Sequence, residues 1–122
     1  MWYGSLGVKE NTVIIKSKAF AIRIVRLYQY LSVSRKEFTL SRQLLRSGTS
    51  VGANVKEAVR GQSKADFTAK MNIALKEISE TEYWIELLYE TGYINDKQYK
   101  SIYADCQELL KILYSIVKTS TK

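Results

Sequence analysis

Four cationic side chains between Arg42 and Arg60 recur at helical spacing. Taking about 100° per residue with Arg42 as zero, Arg46 falls at about +40°, Lys56 at about −40° and Arg60 at about 0°. Arg35, just upstream, falls at about +20°, and Thr49 and Ala53 share the arc. Guanidinium and ammonium groups in one strip bind phosphate oxygens, and such contacts carry no base sequence information. Leu40, Leu44, Val51, Val55, Ala58 and Val59 take the opposite side, which therefore faces a core. Gly48 and Gly52 stand among Ser47, Thr49, Ser50 and Ala53. That G-x-x-x-G spacing lies in a basic helix, not an apolar membrane segment, so close approach of a second helix or a ligand is its better account.

Other chemistry is sparse. The chain has no histidine, which removes Ser-His-Asp and Cys-His systems and the Glu-x-x-His ligands of di-iron bundles. With one cysteine, Cys106, zinc sites built on Cys and His are excluded as well. No Walker A sequence is present. Glu77, Glu80, Glu82, Glu86 and Glu90 form an acidic cluster, but Glu82, Glu86 and Glu90 run along one strip without a turn to wrap an ion. A solvated face, or an ion-pairing surface for a basic neighbour, fits them better. Cys106 falls on an apolar seam, where a buried, inert thiol is expected. Tyr28 and Tyr30 could stack on bases, whereas Tyr83, Tyr89, Tyr99 and Tyr103 have structural spacings. The expectation is a protein that is not an enzyme, with no cofactor and no metal site.

These groups need helices to position them. A chain of 122 residues is one domain, and its lack of proline fits long helices joined by short turns. The spacing predicts helices over about 13–32, 35–61, 64–91 and 96–118. Ser34-Arg35-Lys36-Glu37, Ser63-Lys64-Ala65-Asp66 and Asn95-Asp96-Lys97-Gln98 have capping-box spacing, the middle one weaker because Asp is shorter than Glu. Gly61 and Gly92 are the expected stops. The first helix shows one stripe at Ile15, Ala19, Ile22 and Leu31, widened by Phe20, Ile24, Leu27 and Tyr28. The third buries Phe67, Met71, Ala74, Leu75, Ile78, Ile85, Leu88 and Tyr89. The fourth offers Tyr99, Tyr103, Cys106, Leu110, Leu113 and Val117. An all-α, antiparallel up-down-up-down four-helix bundle over residues 11–119 follows, with a variable tail at 1–10 and a short one at 120–122.

Ile73, Trp84 and Leu87 on the third helix, and Leu109, Ile112 and Ile116 on the fourth, lie away from those stripes. They suggest a subunit interface, set against a broad core with scattered surface residues.

Charge is divided along the chain. Residues 1–64 hold 12 Lys/Arg and 3 acids, roughly +9, and residues 65–122 hold 7 and 9, roughly −2, which sum to the net +7. The positive half either attracts polyanions or is a solvated basic face. No segment reaches the roughly 18 apolar residues of a membrane span, and MWYGSLGVKEN has no signal-peptide pattern. With its lone cysteine, the chain is expected in the cytoplasm, without a membrane partner.

The stretches QLLRSGTSVGANVKEA, SKADF and MNIALKEISETEYWIELL resemble the four-helix-bundle proteins encoded in intervening sequences of bacterial 23S rRNA genes. The resemblance runs from Asn11 to about Lys118. It takes in Lys16-Ser17, Phe20-Ala21 and the closing Glu108, Leu109, Ile112 and Leu113. The family is similar to the accessory variability protein of diversity-generating retroelements, which partners a reverse transcriptase and binds nucleic acid. The resemblance implies a homopentameric bundle with a basic surface and no assigned catalytic residues.

Two functions are compatible with these residues. One is an oligomeric nucleic-acid-binding protein, for structured RNA or RNA/DNA, using Arg35, Arg42, Arg46, Lys56 and Arg60, with Lys64 and Arg26 as outliers. The other is an adaptor whose partner is a protein such as a reverse transcriptase. There the basic stripe meets an acidic protein surface or the acidic strip of a neighbouring subunit.

Overall fold

The computed structural model describes residues 8–121, with side chains from residue 11 onward. Four helices occupy nearly all of it: α1 (Val8–Val33), α2 (Leu40–Val59), α3 (Lys64–Glu90) and α4 (Asp96–Ser120). No strand occurs among the described residues. Each helix packs against its two neighbours around a square, α1 on α2, α2 on α3, α3 on α4 and α4 on α1. This is the expected antiparallel bundle. Residues 8–10, expected in the tail, already belong to α1, and α4 runs through Ser120. Residues 1–7 and 122 of the expected tails lie outside the described residues. No helix among the described residues is long and apolar enough to cross a membrane.

The caps show how local sequence sets the boundaries. Asn95 and Gln98 form the full reciprocal box at the start of α4. At α3 the Ser63 side chain accepts from the Asp66 N–H, but the shorter Asp66 carboxylate accepts from Gln62 N–H instead of returning the bond. Thr91 ends α3, and Gly92 follows at φ +86, a left-handed value that suits glycine.

The start of α2 differs from the expected box. Ser34 is bonded back into the end of α1, its N–H donating to the Tyr30 carbonyl, and Lys36 takes φ 55. The helix begins only at Leu40, and Thr39 caps it without a side-chain bond. Glu37 takes over that role. Its carboxylate accepts from the N–H groups of Thr39 (3.2 Å), Leu40 (3.0 Å) and Ser41 (2.7 Å), satisfying donors that a first turn leaves open. Burial would raise the Glu37 carboxyl, but the bonds from Leu40, Ser41 and Thr39 outweigh it and hold the group below its usual value.

Four stripes form the core: Val13, Phe20, Ile24 and Leu31 from α1; Leu44, Val51, Val55 and Ala58 from α2; Phe67, Met71, Ala74, Ile78, Ile85 and Leu88 from α3; and Ile102, Cys106, Leu109, Leu113 and Ile116 from α4. The reading of α3 holds, with Leu75 and Tyr89 at the margin of the core. The α1 stripe needs correction. Ile15 is 70% exposed and Ile22 50%, and Ala19 is exposed as well. The first helix carries two apolar stripes, and Ser17 interrupts the one that is buried. The α4 seam likewise turns toward Ile102, Leu109 and Ile116, leaving Tyr99, Tyr103, Leu110 and Val117 partly buried beside it.

Glycine sets the α1–α2 approach. A Cβ on Gly48 would lie 2.8 Å from both Cγ atoms of Ile24, and one on Gly52 would lie 3.3 Å from the Ser17 carbonyl oxygen. Both glycines therefore serve close helix packing, as expected. Across the bundle, the buried Thr81 hydroxyl on α3 donates to the Ser47 hydroxyl on α2 at 2.8 Å. Among the described residues, no buried side-chain nitrogen or oxygen lacks a partner.

Two stability outcomes are expected. Gly48→Ala gains up to about 1 kcal/mol of helix propensity but overpacks against the immobile Ile24, a cost of about 1–3 kcal/mol. Urea denaturation should show a net loss, larger than for Gly52→Ala; a stabilised Gly48→Ala protein would refute the packing account. Glu37→Gln should cost about 1 kcal/mol at neutral pH, in the range of a lost helix cap. Because the folded Glu37 is held low, its contribution is present above the unfolded value of about 4.3 and is lost as pH falls through the folded one. The gap between parent and variant should therefore close in acid, and a gap independent of pH would count against charge-assisted capping.

Candidate nucleic-acid interface

Helix α2 distributes its cations to two sides. Taking Arg42 as zero, Arg46 leans toward α3 and Lys56 toward α1, while Arg42 and Arg60 point between them. On the α3 side Arg46 pairs with Glu77 at 3.3 Å and with Glu80, whose carboxylate also accepts from the Trp84 indole N–H at 2.9 Å. Glu57 pairs with Lys70 at 3.1 Å on the same flank. These are half-exposed pairs, worth at most about 1 kcal/mol each. Their effect on the site is larger, since Arg46 is drawn into contacts within the chain.

On the α1 side a groove of about 490 Å³ runs between α1 and α2. Ile14, Ala21, Gly52, Ala53, Val55 and Val59 line it, with Ser17 and Thr49 as polar breaks. Lys18 stands on the α1 wall and Lys56 and Arg60 on the α2 wall. Lys18, Lys56 and Arg60 are exposed and make no ion pair among the described residues, and the same is true of Arg42 and Arg26. The sequence reading included Lys56, Arg60, Thr49 and Ala53 but missed Lys18. Its partner wall lies on α1, and single-helix angles cannot join residues from two helices.

Arg35 leaves the predicted stripe. Residues 34–39 are not helical, so the angular count from α2 does not extend to it. Its guanidinium donates to the carbonyls of Tyr93 (2.6 Å) and Gly92 (3.3 Å) and lies 5.3 Å from the centroid of the Tyr93 ring. It thus ties the α1–α2 connection to the α3–α4 turn. Lys64 opens α3, beyond the end of α2, and is exposed.

The expected interface residues also separate. Leu109 and Ile116 are 1% and 2% exposed, consumed by the chain's own core, and cannot face a partner as the sequence reading had them. Trp84, Leu87 and Ile112 are half-buried, and Ile73 is exposed. On α1, Ile15, Ile22, Val25 and Val33 expose apolar side chains along one arc about 80° wide, with Lys18, Arg26 and Gln29 exposed among them.

The acidic strip is engaged inside the chain as well. The Tyr103 hydroxyl donates to Glu86 at 3.2 Å, and Gln107 donates to Glu82. Burial first, and then Glu82, raise the Tyr103 phenol. Tyr89 stacks on Tyr99 with centroids 4.1 Å apart, and Tyr99 tilts toward Tyr103, so these rings are structural. Tyr28 and Tyr30, offered as stacking platforms, are half-buried. Hydrogen bonding with Gln98, then Arg35, lowers the Tyr30 phenol. The Cys106 thiol is fully buried and is pushed up to about 12, chiefly by desolvation and next by Glu82 and Glu86. It stays a thiol near neutrality. Among the described residues, no group of three or more acidic or cysteine side chains is placed to hold a metal ion.

A family model described as 23S rRNA-intervening sequence protein matches residues 9–115. No curated protein matches the chain. A crystal structure of a protein of unknown function from the S23 ribosomal protein family of Bacteroides thetaiotaomicron superposes with a TM-score of 0.89 at 57% identity. The match covers 91% of this chain and 99% of that one.

Proposed function

The chain belongs to the 23S rRNA-intervening sequence protein family, and we propose that it is a non-catalytic nucleic-acid-binding protein that works as a homo-oligomer. The observation that carries this reading is the set of exposed cations facing outward from α1 and α2 without an ion-pair partner among the described residues: Lys18, Arg42, Lys56 and Arg60. Across the α1–α4 seam, by contrast, Arg23 pairs with Asp105 (2.5 Å) and Lys16 with Glu108 (3.1 Å). An uncompensated cationic strip is the footprint of a phosphate backbone. Nothing along it offers an array of base-edge donors and acceptors, so binding is salt-dependent and weakly sequence-specific. Structured RNA or an RNA/DNA hybrid is the ligand class. The Bacteroides relative is described as of unknown function and lends no activity to this chain.

Self-association rests on the α1 ridge. Ile15, Ile22, Val25 and Val33 expose apolar surface that a monomer gains nothing by showing to water. Repeating the cationic strip in a ring, a pentamer by the resemblance noted above, multiplies weak phosphate contacts through avidity. The same ridge supports a second reading, in which it docks a partner protein such as a reverse transcriptase.

Anisotropy with a structured RNA over a salt series tests the first reading. The triple variant Arg42→Ala, Lys56→Ala, Arg60→Ala should bind more weakly and reduce the salt slope by about 2 to 3, close to one unit per lost phosphate contact. Arg46→Ala, which removes a side chain already paired, should stay near the parent. A triple variant that binds as well as the parent would sink the proposal. For assembly, light scattering should report an oligomer for the parent and a folded monomer for Ile22→Glu. A monomeric parent would exclude the ring.

A further inference from the structure

We propose that the α1–α2 groove receives one unpaired nucleotide of a single strand, with the base on the groove floor and the flanking phosphates on the two walls. The inference rests on the nucleic-acid reading above and narrows it to unpaired stretches, since a fully paired RNA or hybrid would touch only the cationic rims. Two features of the groove carry it. Its cations stand on both sides, Lys18 on α1 and Lys56 with Arg60 on α2, so an anionic backbone crossing the groove meets a positive charge before and after the crossing. The floor between them is apolar and built of small side chains, Ala21, Gly52 and Ala53, with Ile14 and Val59 at the edges.

A lone phosphate has no use for that floor, and a duplex cannot reach it. In a duplex the bases are stacked inward and the phosphates form a convex ribbon, which would rest on the cationic rims and leave the apolar surface uncovered. A base swung out of a single strand presents a flat, weakly hydrated face that the floor can cover by apolar burial. At about 490 Å³ the groove lies within the range of small-ligand sites and has room for a nucleoside. No aromatic ring lines it, so contact with the base is by burial against aliphatic groups and shows little preference among the bases. The floor exists because Gly52 and Ser17 let the two backbones approach, with a Cβ on Gly52 only 3.3 Å from the Ser17 carbonyl oxygen.

The test compares a short single-stranded oligoribonucleotide with its own duplex by fluorescence anisotropy at low salt, for the parent and for Ala53→Leu. Ala53 is exposed at the groove, so a leucine there fills the floor without changing charge, and circular dichroism and thermal melting check that the bundle is intact. The parent should prefer the single strand, and filling the floor should lower that preference by about tenfold, the effect of losing roughly 50 Å² of apolar contact. Equal affinity of the parent for both forms, or a single-strand preference unmoved by Ala53→Leu, overturns the groove proposal while leaving salt-dependent binding in place. Absence of salt-dependent binding to either form overturns the underlying reading together with it. Binding of polyglutamate as tightly as of the single strand also overturns the proposal, assigning the groove to an acidic protein segment.

Discussion

The closeness of α1 and α2 governs the molecule's outward chemistry. At Gly48 there is no room for even a methyl group against Ile24, and at Gly52 the α2 backbone lies against the Ser17 carbonyl. Two helices in such contact cannot also fill the space above their crossing with large side chains. A shallow groove remains, floored by alanine, glycine and valine, and the long cationic side chains of both helices reach its rims. Replacing the glycines with larger residues would push the helices apart and move Lys18 relative to Lys56 and Arg60. Packing deep in the bundle thus sets the spacing of charges on its surface.

The charge pattern follows from where each residue sits around its helix. Formal charge is concentrated in the first half of the chain, yet the halves do not neutralise each other wholesale. Arg46 and Lys70 find acids across the α2–α3 seam, and Lys16 and Arg23 find them across the α1–α4 seam. Seams that bring opposite signs together become ordinary stabilising flanks. The α1–α2 seam joins two basic segments, so its cations have no acid to meet. The α1–α2 edge is therefore left with Lys18, Arg42, Lys56 and Arg60 exposed and without an ion pair among the described residues.

Much of the fold was legible in the sequence because helix boundaries rest on local rules. Asn95 with Gln98, Ser63 with Asp66, and Gly92 all act where their types and spacings placed them. The error at Ser34 to Glu37 has a local cause too. Two glutamate-based caps compete there, and the one that bonds three successive N–H groups prevails over the reciprocal box. The core of α1 was misread because Ile15 and Ile22 are as apolar as Phe20 and Ile24, and periodicity ranks stripes by hydrophobicity alone. Ser17 disguised the buried stripe, though its smallness is what lets Gly52 approach. Half the candidate site was likewise visible from α2. Lys18 and the tethering of Arg35 and Arg46 depend on contacts between helices distant in sequence, which no single-helix projection contains.

The Ser47–Thr81 hydroxyl pair bears on a different question, how the bundle settles on one vertical alignment. Aliphatic stripes tolerate sliding, because a helix displaced by a turn still sets apolar groups against apolar groups. Hydroxyls inside the core do not tolerate it. If α3 moved one turn along α2, the Thr81 hydroxyl could turn its single proton to the Glu77 carbonyl, 2.8 Å away, but the Ser47 oxygen would lose the donor it has now. Ser47 would keep only its long contact to the Leu44 carbonyl at 3.5 Å, and losing one hydrogen bond in the core costs about 1 kcal/mol. One polar contact in an otherwise greasy seam thereby acts as a detent, disfavouring shifted alignments that burial alone would leave nearly equal in energy.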